Sequence, residues 1–304
     1  MTLGRLRLLI QHLFLLMTLA AGRLGLVLTG KAMPCLSCSL VFGGCNGCVL
    51  RYFQVLMSFL AGPVSWGSPE GLDHLQTLGI LLVLCLTLGR LWCGWLCPFG
   101  LVQDWLFALG RALGLGRGPL SGPALKCLTV FRYSLLTILL LFPPLVETGI
   151  IHPDYIYAFC QLCPGGTVLP LLAGQGRRLA WDASSPVSGL VTGLSLTLTG
   201  FILGWALTLT RPWCHVCPVP LLSRVFHKVR LVRLKREPSL CSGCRNCLKI
   251  CPMEGTPALA ANRAEDCLGC GRCLVKCPID GCLSLTLTGQ VDLVRSGRHC
   301  SHQR

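Results

Sequence analysis

The chain has 304 residues, of which 13% are charged and 52% hydrophobic, and its net charge is +15. A soluble domain carries about 25% charged residues, so the composition excludes an ordinary soluble enzyme and points to a multi-pass membrane protein. The 22 cysteines are no secreted disulfide framework, because they fall in dense runs with metal-ligand spacing, and the positive charge comes without a nucleic-acid recognition motif.

Four stretches are long enough to cross a hydrocarbon core of about 30 Å, which takes about 20 helical residues. They are 6–28, with Arg23 inside, 72–91, 125–146, with Arg132 inside, and 186–209. The basic start and apolar run of the first also suit a signal peptide, but three later spans favour a retained anchor. Between the first two spans, Val49 to Ala61 is apolar but short and carries Arg51, which predicts a re-entrant or interfacial helix. With four spans, Arg5, Arg7, Arg90, Arg111, Arg117, Lys126 and the dense set from Arg211 to Arg236 fall on one side. Lys31, Arg51, Arg177 and Arg178 fall on the other. The positive-inside rule then places both termini in the cytoplasm.

Each outward-to-inward span is followed by the same motif. Arg90-Leu-Trp-Cys-Gly-Trp-Leu-Cys-Pro98 and Arg211-Pro-Trp-Cys-His-Val-Cys-Pro218 both read R-x-W-C and end in C-P. The outer loops rhyme as well, with Cys35, Cys38, Cys45 and Cys48 in one and Cys160 and Cys163 in the other. This predicts two tandem helical hairpins related by an axis along the membrane normal. The inner cysteines Cys93, Cys97, Cys214 and Cys217 match the ligand number of one further iron–sulfur cluster. Zinc accepts four thiolates too, and cysteine also serves as a small buried hydrophobe. The outer six face an oxidising compartment, which favours disulfides, yet their glycine-rich turns suit a cluster as well. His215 reads as a metal ligand, a quinone proton acceptor or a buried interfacial histidine. Cys85, Cys127, Cys282 and Cys300 are isolated and read as structural or free thiols.

Near the end, two runs repeat C-x2-C-x2-C-x3-C-P. Cys241, Cys244, Cys247 and Cys251 precede Pro252, and Cys267, Cys270, Cys273 and Cys277 precede Pro278. Three thiolates close in sequence wrap one face of a [4Fe–4S] cubane, and the fourth cysteine of each run ligates the other cluster. The expected ligand sets are therefore Cys241, Cys244, Cys247 and Cys277 for one cluster and Cys267, Cys270, Cys273 and Cys251 for the other. No Rossmann glycine motif or P-loop occurs.

Cys93-Gly-Trp-Leu-Cys-Pro-Phe-Gly100, Trp213-Cys-His-Val-Cys-Pro218 and the two terminal runs together resemble the polyferredoxin-type membrane proteins. That group includes the membrane ferredoxin subunit of the periplasmic nitrate reductase quinol dehydrogenase, the methylamine-utilisation ferredoxin-type protein and the membrane half of the nitrous-oxide reductase regulator. The resemblance implies electron transfer in a bacterial inner membrane, with a quinol or quinone and a periplasmic reductase, cytochrome or maturation system as partners. The second inner motif is C-x2-C-P where the nitrate-reductase type has C-x3-C-P, and the outer motifs lean toward the methylamine-utilisation type.

The expected architecture is an all-α four-span domain over 1–222, a basic linker over 223–236, a small α+β ferredoxin domain with two [4Fe–4S] clusters over 237–290 and a tail over 291–304. The expected function is iron–sulfur electron transfer, with one or two further clusters in the membrane half and a quinone as an additional candidate cofactor. The enzymatic form of this reading is a quinol dehydrogenase subunit. The alternative is a redox sensor or assembly factor that uses the outer cysteines for thiol–disulfide exchange or metal handling. The basic residues Arg224 to Arg236 suit anionic lipid head groups or an acidic redox partner.

Overall fold

A computed structural model describes residues 3–24, 40–41, 44–45, 48–61, 67–115, 122–150, 158–174, 186–224, 226, 229–253 and 267–296. Cys35, Cys38, Cys300, Lys31, Arg117, Arg177 and Arg178 lie outside them. The architecture is mostly helical. Four helices are long and apolar enough to cross a membrane: α1 (Leu3–Leu24), α3 (Pro69–Leu88), α6 (Gly122–Glu147) and α9 (Pro186–Trp205). They leave Leu16, Val83, Val130, Leu190 and Phe201 exposed, as lipid-facing surfaces do and water-facing ones rarely do. Helix α3 starts where its sequence says it should. Ser68 accepts a hydrogen bond from the Gly71 N–H and Pro69 stands at the first helical position, where a missing N–H costs nothing.

The short apolar segment forms α2 (Val49–Ala61), packed along α6. It also lies against α3: the Tyr52 hydroxyl donates to the His74 carbonyl at 2.8 Å, and the Phe59 and His74 rings are 4.7 Å apart. Just ahead of it, β1 (Leu40–Val41) and β2 (Gly44–Cys45) pair antiparallel.

Three further segments share one local form, a short helix, a cysteine, a proline and a second helix. They are α4 (Leu91–Trp95) with α5 (Pro98–Ala112), α7 (Ala158–Leu162) with α8 (Pro164–Leu172), and α10 (Trp213–Val216) with α11 (Pro218–Arg224). The C-P step explains the break. Cys97, Cys163 and Cys217 are extended, with ψ of 111°, 118° and 131°, because a residue before proline is pushed out of the α region. The proline then opens the next helix.

The ferredoxin lobe contains α12 (Asn246–Lys249), α13 (Arg272–Lys276) and an antiparallel sheet in the order β3 (Val232–Arg236), β4 (Leu283–Leu287), β5 (Val291–Arg295). The stretch expected as a basic linker supplies β3, and the expected tail supplies β5. Their alternating apolar residues explain why: Val232, with Leu283 and Leu285 of β4, packs on Leu274, and a strand with one apolar face is held by its partner rather than left as a tether. Met253 and Leu268 belong to the same buried cluster as the membrane-half residues Phe99, Leu101 and Trp213, so the lobe sits directly on the helices.

Candidate functional site

The two ferredoxin runs fold alike. In Cys241-Ser-Gly-Cys-Arg-Asn-Cys247 and Cys267-Leu-Gly-Cys-Gly-Arg-Cys273, the third and fifth positions all have positive φ: Gly243 (70°), Arg245 (56°), Gly269 (61°) and Gly271 (71°). Left-handed residues at such intervals turn successive amide groups to one side, forming a nest for an anionic group. Glycine supplies that conformation freely, whereas Arg245 adopts it against the preference of an L-residue.

Cys251 of the first run lines the same cavity as Cys267, Cys270 and Cys273 of the second, with Cys247 at its edge. On the other side, Cys282 makes hydrogen-bond contact with both Cys241 and Cys277, and burial together with these neighbours pushes its thiol up to about 12. The fourth cysteine of each run is thus carried to the other run's loop. Cys282 was not singled out as a site residue, since one cysteine outside a motif gives no signal in the sequence. Burial, and the nearby thiols of Cys267, Cys270, Cys251 and Cys247, push Cys273 well up. Ligation of a thiol to a metal releases its proton.

The four inner cysteines of the membrane half also come together, all buried. Burial first, then the neighbouring Cys97 and Cys214 thiols, raise Cys93. Cys214 is pushed up to about 12 by burial, with Cys97 adding to it and Arg211 opposing it. Cys97 caps α5, its sulfur accepting from the Gly100 N–H at 3.4 Å.

The arginines of the repeated motif are not a surface flank. Arg90 and Arg211 are 1% and 0% exposed, and each reaches into the other motif. Arg90 Nε donates to the Pro220 carbonyl at 2.9 Å, and Arg211 Nη1 donates to the Cys93 carbonyl at 3.0 Å. The positive-inside pattern counted both as interfacial charges, but buried hydrogen bonds hold them instead.

Between this site and the lobe lies a buried ionic knot. Asp104 of α5 binds Arg211 (2.7 Å), Arg272 of α13 (2.6 Å) and Arg7 of α1 (3.8 Å). Burial alone would raise the Asp104 carboxyl, but the guanidinium groups overcome it and hold the carboxyl well below the usual range. Beside the knot, Gln11 Nε2 donates to the Gly94 carbonyl, Trp95 Nε1 to the Gly269 carbonyl, and His215 Nε2 lies 3.3 Å from the Pro252 carbonyl. A Cβ on Gly94 would stand 2.5 Å from the Leu268 oxygen and 3.2 Å from Cys270 Cα. The inner motif and the second ferredoxin loop therefore touch backbone to backbone. Asp104 and Gln11 carried no motif, and nothing in their spacing marks them.

The third C-P segment folds back from its expected outer loop. Cys163 lies close enough to Cys217 to help burial raise that thiol, and Cys160 Sγ donates to Gln54 Oε1 at 3.0 Å. Cys48, Cys85, Cys93, Cys97, Cys160, Cys163, Cys214 and Cys217 form no disulfide. An apolar cavity of about 240 Å³ opens beside the inner motif, lined by Val49, Phe53, Leu81, Cys85, Val219 and Leu222. Among the described residues, no three His, Cys, Asp or Glu side chains converge as around a single metal ion. The ferredoxin quartets share that feature. A tetrahedral zinc ion needs all four sulfurs at about 2.3 Å from one centre, whereas a cubane offers each thiolate its own iron corner.

The chain matches a family described as "4Fe-4S binding domain" at residues 75–116 and 191–237. Both matches fall on a membrane helix followed by an inner cysteine motif, and both end before the first ferredoxin run. The methylamine utilization ferredoxin-type protein of Methylorubrum extorquens is 29% identical over 223 residues, covering 68% of this chain and 62% of that protein. These likenesses support a protein of polyferredoxin type. An uncharacterised protein of Methanocaldococcus jannaschii is 27% identical, covering 58% of this chain and 64% of its own length. The ferredoxin-type protein NapH of Haemophilus influenzae is 24% identical, covering 60% of this chain and 55% of that protein. The chain thus spans about six tenths of the length of the curated relatives it matches. No solved structure matches it. With four helices long and apolar enough to cross a membrane, two matches to a 4Fe-4S binding domain and ferredoxin-type relatives, the chain resembles membrane iron–sulfur proteins.

Proposed function

We propose that the chain carries electrons between a cytoplasmic ferredoxin lobe and a membrane-embedded cysteine site. Two [4Fe–4S] clusters are held by Cys241, Cys244, Cys247 and Cys277 and by Cys267, Cys270, Cys273 and Cys251. A third is held by Cys93, Cys97, Cys214 and Cys217. The clusters, when bound, supply one-electron chemistry. The chain's own residues ligate them, exclude water and fix their spacing. The observation that carries this reading is the backbone contact of Gly94 with Leu268 and Cys270, which leaves no solvent layer between the second ferredoxin site and the membrane site. The two family matches, each on one inner motif, support the third cluster.

The two motifs, stitched by reciprocal Arg90 and Arg211 bonds, fit two tandem hairpins. Helix contacts agree, since α1 meets α4 and α5 as α6 meets α10 and α11. The protein is placed in a bacterial inner membrane with both termini cytoplasmic. Its membrane-side donor is a quinol or its acceptor a periplasmic redox or maturation partner, and the apolar cavity beside Val219 is the candidate quinone seat. Exchange of thiols with a partner, as a sensor or assembly factor would need, calls for accessible thiols, whereas Cys160 and Cys163 are buried.

Iron counting and EPR on anaerobically purified protein test the assignment. A variant with the eight ferredoxin cysteines replaced by serine is expected to keep the iron of a membrane cluster, and a further Cys93→Ser, Cys97→Ser change to remove it. Absence of residual iron in the first variant would sink the third cluster.

A further inference from the structure

Apart from Cys282 in the lobe, three buried cysteines lie outside both family matches and both ferredoxin runs: Cys48, Cys160 and Cys163, at 3%, 9% and 4% exposure. Two different segments deliver them to one region. Cys48 stands at the start of the 13-residue α2 and Cys163 at the start of the 9-residue α8. Helix α2 packs along α6, and α7, which carries Cys160, packs on α6 as well. Cys160 Sγ meets Gln54 Oε1 of α2 at 3.0 Å, fewer than two turns from Cys48. Val49, next to Cys48, shares a cavity wall with Val219, two residues beyond Cys217, and Cys163 lies within electrostatic reach of Cys217.

A second observation points to a ligand. Gln54 is fully buried, and its Nε2 has no hydrogen-bond partner. An unmatched buried amide donor is destabilising, so one on a side chain beside the Cys160 thiol points to an acceptor the protein alone does not supply. Two helices also start in this region, and helix N-termini favour negative charge. Buried thiols, an unused N–H donor and two positive helix ends suit an anionic, sulfur-rich group. They do not suit a disulfide, which is neutral and would leave the amide unmatched.

We propose that Cys48, Cys160 and Cys163 ligate a second iron–sulfur cluster inside the membrane half, with the Gln54 side chain donating a hydrogen bond to it. Each thiol loses its proton to solvent on ligation. The Cys160 S–H that Gln54 Oε1 now accepts then disappears, and a turned amide presents Nε2 to the resulting thiolate. The outer cysteines thereby extend the path from the inner site instead of facing an oxidising compartment.

The inference rests on the iron–sulfur reading above, and its test keeps the two apart. Full-length protein is purified anaerobically, and its iron, acid-labile sulfide and reduced-state EPR are compared with those of two variants. Cys160→Ser with Cys163→Ser is expected to lose the iron of one cluster and one signal, while Cys93→Ser with Cys97→Ser loses a different signal. Gln54→Leu is expected to keep all the iron and shift one midpoint potential downward, since a lost N–H···S bond no longer favours the reduced cluster. Unchanged iron and spectra in the Cys160/Cys163 variant overturn the site, with the inner cluster intact. Where that variant does not fold, an unmoved set of potentials in Gln54→Leu overturns it as well. Wild-type protein without membrane iron overturns both readings.

Discussion

The ferredoxin lobe and the membrane half build cysteine sites in opposite ways. In the lobe, three cysteines come from seven residues of one loop, and the loop's own left-handed positions shape it. In the membrane half, each motif contributes two cysteines at a helix start, and the partner pair comes from a helix more than a hundred residues away. Loop sites depend on local backbone conformation. Helix-start sites depend on how helices pack, so ionic and hydrogen-bond stitching between distant segments becomes part of the site. Arg90, Arg211 and Asp104 do that stitching, and the lobe has no equivalent knot among its described residues.

The largest effect is expected where the stitching is concentrated. Asp104→Asn leaves two buried guanidinium groups and the half-buried Arg272 without their anion and should cost about 3–5 kcal/mol, read as a lowered melting temperature in detergent. Because the folded Asp104 carboxyl is held low, its stabilisation is fully present above the unfolded value of about 3.9 and is lost as pH falls through the folded value. The gap between wild type and variant should therefore be equal at neutral and mildly acidic pH and close only in strong acid. A gap that shrinks toward neutral pH would show that Asp104 is not the paired anion.

Gly94→Ala attacks the seam between the two regions. Its new methyl group meets the Leu268 carbonyl, so the lobe must shift at a cost of about 1–3 kcal/mol. The ferredoxin iron should stay, and magnetic coupling between the lobe and membrane signals should weaken. Coupling of wild-type strength in this variant would mean that the seam does not set the spacing.

Smaller changes separate local from packed sites. Pro98→Ala or Pro218→Ala removes a pre-set helix start and should cost under about 1 kcal/mol, with iron content retained because packing holds Cys97 and Cys217. Arg245→Gly acts within one loop and should raise stability by at most about 1 kcal/mol, since it relieves a left-handed arginine while adding freedom to the unfolded chain. Loss of iron in Pro218→Ala, or destabilisation by Arg245→Gly, would reverse the contrast between the regions.

Much of this was legible in the residues because it is local. The four apolar helices follow from hydrophobic length, α2 from a short apolar run, and the paired runs from cysteine spacing. The exchange of Cys251 and Cys277 between the two loops is implied by that spacing too. The lobe boundaries were not legible: β3 is basic and β5 follows a turn, and only pairing with β4 makes either a strand. Nor was the fate of Arg90 and Arg211, since a charge before a tryptophan reads as an interfacial flank until the opposite motif is seen to receive it.

The sequence by itself determined what kind of atoms this protein gathers. Thiolate number, spacing and the proline after each pair are properties of short segments, and short-range sterics carry them into structure. Tertiary structure alone decided where those thiols meet. Cys163 approaching Cys217, Gln54 meeting Cys160, and Gly94 lying against Cys270 join segments separated by about fifty to nearly two hundred positions. Such contacts are selected by packing and by burial of charge, which no local pattern encodes.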